Sequence, residues 1–229
     1  MSIDDLKRAA AEKAAHHVQP GMKLGLGSGS TAKHAIDVIG ERFQKGELAG
    51  IQAVATSNAS DAQARALGIP MMPFEGGLDL AIDGMDELTP QLDAIKGLGG
   101  ALTREKIVEA RADLLILIAD DSKKVTTLGE KSPLPIEVIP LAEAVVTREL
   151  EQLGATVSLR THDDAPFITD NHNIILDCRW QTWQPHDLAP IITAIPGVVE
   201  HGLFLGMAKL AYLASEDSVI ELEPREAWS

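Results

Sequence analysis

Charged side chains are concentrated between residues 79 and 106, around the end of a predicted strand. The run 78–82 alternates apolar residues with others, which is typical of a half-buried strand. Three carboxylates, Asp83, Asp86 and Glu87, follow directly. Because ligands of open α/β sheets bind at the carboxyl ends of strands, these carboxylates are candidates for a ligand site.

The same segment continues with Lys96, several glycines and a predicted helix over 101–111. The glycines allow the backbone to approach a ligand closely. Thr103 fits the start of the helix, which places Glu105 in its first turn. Carboxylates beside a lysine and a glycine loop favour acid–base chemistry on a small molecule.

The segment is also compatible with a purely structural role or with a metal site. Asp-Gly after a strand is ordinary turn chemistry, and a glutamate near a helix start is favoured by the helix dipole alone. A carboxylate cluster could also hold a hard cation. The metal site is the weaker hypothesis, because Lys96 and Lys106 would compete with the cation.

A second candidate site is the glycine-rich segment 25–31, GLGSGST. It connects a predicted strand, 22–26, to a predicted helix, which is typical of a phosphate-binding turn. Ser28, Ser30 and Thr31 add hydroxyl groups that can contact a phosphate. A plain strand-to-helix turn with a serine or threonine cap is the structural alternative.

The type of phosphate ligand is restricted by what surrounds this loop. No Gly-Lys-Ser/Thr follows at Walker A spacing. The glycines match a relaxed dinucleotide fingerprint, but the next strand, 51–55, leads into Thr56 rather than an acidic residue. A dinucleotide is therefore the weaker prediction.

Composition limits the classes of partner. The 229 residues are 45% hydrophobic and 24% charged, as in ordinary globular proteins, and the net charge of −14 disfavours non-specific nucleic-acid binding. Cys178 is the single cysteine, in an apolar run that predicts a core position. The N-terminus lacks an apolar signal region and the longest apolar run, 114–119, is too short to span a bilayer. We therefore expect a cytoplasmic protein without membrane attachment.

Strands and helices alternate in the first part of the chain, which predicts a doubly wound, Rossmann-like, mostly parallel sheet. Further strands are predicted at 69–73 and 114–119, and Lys123 follows the second of them. From about residue 131 the predicted order changes to strand, helix, two strands, helix and strand, which is the ferredoxin-like α+β unit. Its elements are predicted at 136–140, 141–152, 155–160, 172–178, 187–194 and 198–205. We expect one domain from 1–130 plus 206–229, and a smaller one from 131–205.

With these features established, the chain closely resembles type A ribose-5-phosphate isomerase. The matching motifs span most of the chain in the expected order. They are GLGSGST at 25–31, DGMDE at 83–87, KG at 96–97, ALTREK at 101–106, ADDSK at 119–123, PLPIEVIP at 133–140 and AIPG at 194–197.

The resemblance implies interconversion of D-ribose 5-phosphate and D-ribulose 5-phosphate in the pentose phosphate pathway, without a metal or organic cofactor. It also implies a homodimer or tetramer. The implied catalytic residues are Glu105, the proton-transferring base, with Asp83, Asp86 and Lys96. The implied substrate-binding residues are Lys7, Ser28, Gly29, Ser30, Thr31, Asp83, Gly84, Met85, Asp86, Lys96, Gly97, Leu98, Gly99 and Lys123.

Two positions depart from the family pattern. Ser28 replaces the usual threonine but keeps the hydroxyl. Leu98 replaces a glycine, and a leucine in the left-handed region would cost about 1–2 kcal/mol. We therefore predict a negative φ for Leu98 and a side chain directed away from the sugar.

The implied reaction agrees with the residue types. One carboxylate can remove a proton beside the carbonyl and return it to the neighbouring carbon through an enediolate, while Lys96 and loop N–H groups stabilise the oxyanion. Asp83 is the first choice for opening the furanose ring. For Glu105, nearby carboxylates raise the pKa, whereas Lys96 and the helix N-terminus lower it.

Two further functional classes are compatible with parts of the sequence. A non-catalytic sugar-phosphate sensor of similar fold usually carries a DNA-binding helix-turn-helix, and little chain precedes Gly25 to hold one. A nicotinamide-dependent oxidoreductase is disfavoured by the missing acidic residue after strand 51–55.

Overall fold

The computed structural model describes residues 2–225. Helices and strands alternate through the first part of the chain, and four strands follow the last helix of the described residues. The helices are α1 (Ile3–Ala15), α2 (Gly29–Gln44), α3 (Asn58–Ala66), α4 (Leu102–Glu109), α5 (Glu143–Gln152) and α6 (Pro185–Thr193). Within these described residues, no helix is long and apolar enough to cross a membrane.

The strands belong to a large sheet, a smaller sheet, a short third sheet and one isolated hairpin. They are β1 (Lys23–Leu26), β2 (Gln52–Ala55), β3 (Leu78–Gly84), β4 (Glu87–Leu88), β5 (Ala94–Ile95), β6 (Ala112–Asp120), β7 (Leu134–Val138), β8 (Thr156–Leu159), β9 (Thr161–His162), β10 (Ala165–Pro166), β11 (Ile174–Arg179), β12 (Val198–His201), β13 (Leu203–Phe204), β14 (Leu210–Ala214) and β15 (Val219–Leu222).

The large sheet has the order β15-β14-β6-β3-β1-β2. Its pairs are parallel except for the edge strand β15, which runs antiparallel to β14. The apolar run 114–119 lies inside β6, between two parallel neighbours, as expected for a strand covered on both faces. Helices α1 and α2 cover one face with buried alanines, leucines and isoleucines. The predicted mixed α/β fold with a mostly parallel sheet is confirmed.

Local signals in the sequence explain several helix ends. Ser2 and Asp5 form a capping box, with the Asp5 N–H donating to the Ser2 hydroxyl at 3.1 Å and the Ser2 N–H donating to the Asp5 carboxylate at 2.8 Å. Gly68 follows α3 with a φ of +80°, the conformation that glycine tolerates after a helix.

The smaller sheet has the order β12-β7-β11-β8 and is antiparallel throughout. Together with α5 and α6 this is the predicted ferredoxin-like arrangement, in which the first and third strands are central. Cys178 lies in its apolar core, as predicted. The domain limits at 130/131 and 205/206 stay a prediction, and their outermost residues, 1 and 226–229, lie outside the described part.

Two predicted strands are wrong in extent. Residues 69–73 make only an isolated bridge, at Met71, because Pro70 and Pro73 cannot donate ladder hydrogen bonds. The predicted strand 198–205 divides at Gly202 into β12 and β13, which belong to different sheets. A side chain at Gly202 would begin 2.3 Å from the Lys96 carbonyl oxygen, so the chain crosses there at a glycine.

The third sheet, β13-β5-β4, was not predicted from the sequence. Its strands are only two residues long, which gives no detectable periodicity. Ile95 in β5 pairs with Glu87 on one side and Leu203 on the other, and the Lys96 N–H donates to the Gly202 carbonyl at 2.9 Å. This small sheet therefore determines where Lys96 enters the site.

Candidate active site

A cavity of about 430 Å³ lies beyond the carboxyl ends of the central parallel strands. Its walls include Gly84, the last residue of β3, and the residues 85–86 that follow it. Segment 28–31 after β1 and Lys123 after β6 also contribute. This is the edge where parallel sheets bind ligands. Its lining residues are Lys7, Ser28, Gly29, Ser30, Thr31, Ser57, Ala59, Gly84, Met85, Asp86, Lys96, Gly97, Gly99, Gly100, Ala101, Glu105, Lys123, Phe167, Ile168 and Asp170.

The structure brings nearly all the predicted site residues to this one cavity. Two of them, Asp83 and Leu98, are not on its wall. Asp83 is fully buried behind the wall, and Leu98 is 39% exposed outside it. Asp83 therefore does not line the cavity, and the outward side chain of Leu98 agrees with its prediction. The contacts of both residues with a ligand stay a prediction.

Lys96 is the centre of a buried cluster of charges. Its ammonium lies 2.8 Å from Asp83 Oδ2, 3.3 Å from Glu109 Oε1 and 3.6 Å from Glu105 Oε2. It also donates a hydrogen bond to the Gly84 carbonyl at 2.6 Å. Burial alone would lower the pKa of Lys96, but the surrounding carboxylates outweigh burial and raise that pKa above its ordinary value. Lys96 is therefore a fixed positive charge.

Asp83 is held in place by backbone groups. Its Oδ1 accepts hydrogen bonds from the N–H of Ser28 at 2.8 Å and of Gly84 at 2.6 Å. The chain can pass this close because residue 27 is a glycine, where a side chain would begin 2.1 Å from the Asp83 carboxyl. With Lys96 on the other oxygen, Asp83 joins the glycine-rich loop to the charge cluster.

Glu105 lies on α4 with its carboxyl buried at the base of the cavity. The helix spans Leu102–Glu109, within the predicted range 101–111. The Thr103 hydroxyl donates to Glu137 at 2.6 Å instead of capping the start of the helix. Burial raises the pKa of Glu105 to about 8, and Asp83 also raises it, while Lys96 acts in the opposite direction. A carboxyl of this kind can accept and return a proton near neutral pH.

Asp86 is the other carboxylate on the cavity wall. Its Oδ2 accepts the Leu98 N–H at 2.9 Å, and its backbone N–H donates to Ile95 in β5 at 2.8 Å. Burial raises the pKa of Asp86, although the Leu98 N–H and Lys96 partly offset that rise. Asp86 can therefore exchange a proton with a bound ligand more readily than an exposed aspartate.

The loop after Lys96 owes its conformation to two glycines. Gly97 and Gly100 have φ values of +99° and +87°, whereas Leu98 is not in the positive region. The predicted negative φ of Leu98 and the outward direction of its side chain are both confirmed. Arg160, which follows β8, donates to the carbonyls of Gly97 at 2.8 Å and Leu98 at 2.9 Å.

The cavity lining also includes groups suited to an anion. Gly29 begins α2, so the first-turn N–H groups of this helix lie at the cavity wall without intrahelical acceptors. Lys7 Nζ donates to the Ser30 hydroxyl at 2.8 Å, which brings a positive charge to the same turn. Lys123 adds a second positive charge to the lining. A phosphate group is the ligand that these groups fit best.

Sequence reasoning missed three sets of residues. Ser57, Ala59, Gly100 and Ala101 line the cavity but were not predicted as site residues. Glu109 follows Glu105 by four positions on one helix, a spacing that places both on one face and could have been noticed. Phe167, Ile168 and Asp170 come from the smaller domain, and nothing in their local sequence predicts a place at this cavity. In residues 2–225, no group of three or more His, Cys, Asp or Glu side chains is arranged to hold a metal ion.

Comparisons with known proteins agree with one another. Residues 52–218 match the family described as ribose 5-phosphate isomerase A (phosphoriboisomerase A). Ribose-5-phosphate isomerase A of Roseiflexus castenholzii is 48% identical over 225 residues, which cover 96% of each chain. The solved ribose 5-phosphate isomerase A of Methanocaldococcus jannaschii superimposes with a TM-score of 0.93 at 38% identity, covering 97% of this chain and all of that one. A D-ribose-5-phosphate isomerase solved in complex with phospho-erythronic acid superimposes with a TM-score of 0.94 at 38% identity, with the same coverage of both chains.

Proposed function

The chain belongs to the ribose 5-phosphate isomerase A family, and we propose that it interconverts D-ribose 5-phosphate and D-ribulose 5-phosphate through an enediolate, with Glu105 as the base. The activity of the family is an isomerisation, so the chain is an isomerase. The mechanism and the roles of individual residues are our proposal. The structure of a relative with bound phospho-erythronic acid supports a phosphorylated ligand.

The position of Glu105 beside Lys96 carries this proposal. Glu105 is buried at the cavity base with its pKa raised to about 8, so it can take a proton from the C2 carbon of the aldose and deliver it to C1. Negative charge develops on the sugar oxygens in between. Lys96, 3.6 Å from Glu105, and the N–H groups of the neighbouring loop stabilise that charge.

The phosphate would occupy the other end of the cavity. There the first turn of α2, Lys7 and Lys123 provide N–H groups and positive charge for a dianion. Binding energy from the phosphate would hold the reacting carbons against Glu105, which lowers the entropic part of the barrier.

We assign ring opening to Asp86 rather than Asp83, which was the first choice from the sequence. Asp83 is fully buried and its oxygens are engaged by two backbone N–H groups and Lys96. Asp86 lies on the cavity wall, and burial raises its pKa toward the range useful for proton transfer. Asp83 would instead fix Lys96 and the glycine-rich loop.

The test of the base is Glu105→Gln, assayed for ribulose 5-phosphate formation with and without added nucleotide. Turnover should fall by roughly 10²- to 10⁴-fold, which is the usual contribution of a general base. Added nucleotide should have no effect on turnover. Glu149→Gln, an exposed position on α5, is the matched control and should keep wild-type turnover. Near-normal turnover in Glu105→Gln would remove Glu105 from the role.

The test of ring opening uses hydrogen exchange. Ribulose 5-phosphate is an open chain because its C5 oxygen carries the phosphate, so exchange of its C1 hydrogen with D₂O needs proton transfer but no ring chemistry. In Asp86→Asn, the rate of ribose 5-phosphate conversion should fall more than the rate of C1 exchange. In Glu105→Gln, both rates should fall. Equal losses in Asp86→Asn would contradict the assignment.

We further propose a cytoplasmic homodimer or tetramer, as the family resemblance implies. Large apolar side chains just before α5 and in its first turn support a subunit contact, since Leu141 is 95% exposed and Ile139 and Val145 are about half exposed. Light scattering of the purified chain would measure the assembly. A monomer at micromolar concentration would contradict this proposal.

A further inference from the structure

Glu109 is a buried carboxyl that the proposed reaction leaves unexplained. It is the last residue of α4, one helical turn beyond Glu105, and only 2% of it is exposed. Its Oε1 lies 3.3 Å from the Lys96 ammonium. Among the described residues, neither oxygen of Glu109 accepts a hydrogen bond. A carboxylate in such a place would be costly if it were ionised.

The charges around Glu109 do not balance. It is faced by Asp83 from β3, Lys96 after β5, and Glu105 on its own helix. Lys106, also on α4, directs its ammonium to Glu200 at 2.7 Å instead. Three ionised carboxylates around one ammonium would leave two uncompensated negative charges in the interior, which proteins avoid by protonating a group.

The contacts of Asp83 differ from those of Glu109. Asp83 has two backbone N–H donors on one oxygen and Lys96 at 2.8 Å from the other, so each of its oxygens has a positively polarised partner. Glu109 has only the more distant ammonium. It lies within hydrogen-bonding reach of Asp83, whose Oδ2 accepts no further hydrogen bond from the described residues. A proton on Glu109 would give both side chains a partner.

We propose that Glu109 is a neutral carboxylic acid that donates its O–H to Asp83 and thereby positions the Asp83–Lys96 pair. In this arrangement Asp83 and Lys96 neutralise each other, and Glu105 is the one carboxyl of the cluster that exchanges a proton with the sugar. Glu109 is a positioning residue, because it acts through its neighbours. The catalytic consequence of this inference rests on the proposed isomerase function. The protonation state of Glu109 does not depend on that function.

The electrostatic surroundings support the same assignment. Burial raises the pKa of Glu109 well above its ordinary range, and Asp83 and Glu105 raise it further, while Lys96 opposes them. A carboxylic acid kept neutral at pH 7 by an apolar or crowded site, so that it can donate a hydrogen bond, is a known device of active sites.

Infrared spectroscopy tests the protonation directly. In Glu105→Gln at about pH 7, where that base is removed, we expect the carbonyl band of a protonated carboxylic acid in the spectrum. The band should be absent in the double variant Glu105→Gln/Glu109→Gln and present in the control Glu105→Gln/Glu149→Gln. A spectrum of the double variant that matches the control would overturn the proposal, whether or not the wild type is an active isomerase.

Kinetics test the positioning role. Glu109→Leu, which removes the donor, should lower kcat by about 10- to 100-fold, the scale of coupling within one hydrogen-bonded network. Glu109→Gln keeps an N–H donor and no charge, so it should restore most of that loss. It should also leave the acid limb of kcat/KM within about 0.3 pH unit of wild type, because no charge has changed.

An ionised Glu109 gives the opposite result. Removing its negative charge would then lower the pKa of Glu105 and move the acid limb of Glu109→Gln down by about one pH unit or more. That shift would overturn the proposal. If Glu109→Leu does not fold, the glutamine variant and the infrared comparison still decide. Absence of isomerase activity in the wild type would refute the proposed function instead, and the infrared result would stand apart from it.

Discussion

Replacing Glu105 by glutamine should change how folding stability depends on pH. Burial, together with Asp83, raises the pKa of this carboxyl to about 8 in the folded protein, although Lys96 opposes the rise. In the unfolded chain the same carboxyl has the ordinary pKa of about 4.3. Between these two values the folded protein holds a proton that the unfolded chain has released.

The sign and size of the effect follow from this difference. Because the folded state binds more protons, the free energy of unfolding falls as pH rises, by about 1.4 kcal/mol per pH unit from this one group. The contribution is intact below about pH 4, decreases up to about pH 8 and changes no further above it. Glu105→Gln lacks the titrating group, so its stability relative to wild type should rise by about 3 kcal/mol between pH 5 and pH 7.

Urea unfolding of both proteins at pH 5, 6, 7 and 8 measures this difference. Glu149→Gln, at an exposed position on α5, is the control for replacing a glutamate by glutamine outside the buried cluster. The same raised pKa means that kcat/KM of the wild type should increase with pH up to about 8. A stability difference that stays constant for Glu105→Gln would refute the argument that burial holds this carboxyl neutral.

Three further substitutions test other parts of the site. Lys123→Ala should raise the Michaelis constant for ribose 5-phosphate by about 10- to 100-fold, the effect of losing a charge-assisted hydrogen bond. Binding of unphosphorylated ribose should weaken much less, and equal losses for the two sugars would contradict a phosphate contact. Arg160→Ala frees two loop carbonyls and leaves Asp177 without its ion-pair partner, so the free energy of unfolding measured in urea should fall by about 2–4 kcal/mol. The double variant with Asp177→Ala should recover part of this loss. If it recovers nothing, the unpaired charge is not the cause. Leu98→Gly should leave the Michaelis constant nearly unchanged and lower the free energy of unfolding by about 0.4–1 kcal/mol, and a several-fold change in the Michaelis constant would show that the side chain contacts the sugar.

The local chemistry of the chain was readable without a structure. The glycine-rich turn at 25–31, the carboxylates at and beyond the end of β3 and the helix that carries Glu105 each depend on neighbours close in sequence. Alternation of strands and helices then predicts that strand ends share one sheet edge, which brings these segments together. The ferredoxin-like order was readable for the same reason, because six successive elements carry its signature.

Only the tertiary structure decided which of these groups contact the cavity. Asp83 and Asp86 are three residues apart and chemically alike, but the chain turns between them, so one lies behind Lys96 and the other faces the cavity. The two-residue strand β5 that positions Lys96 has no periodicity of its own and is defined by partners far away in the chain. The raised pKa of Glu105 likewise depends on burial and on charges from separate elements. Burial and long-range pairing are properties of the packed chain, whereas turn chemistry and periodicity are properties of the sequence itself.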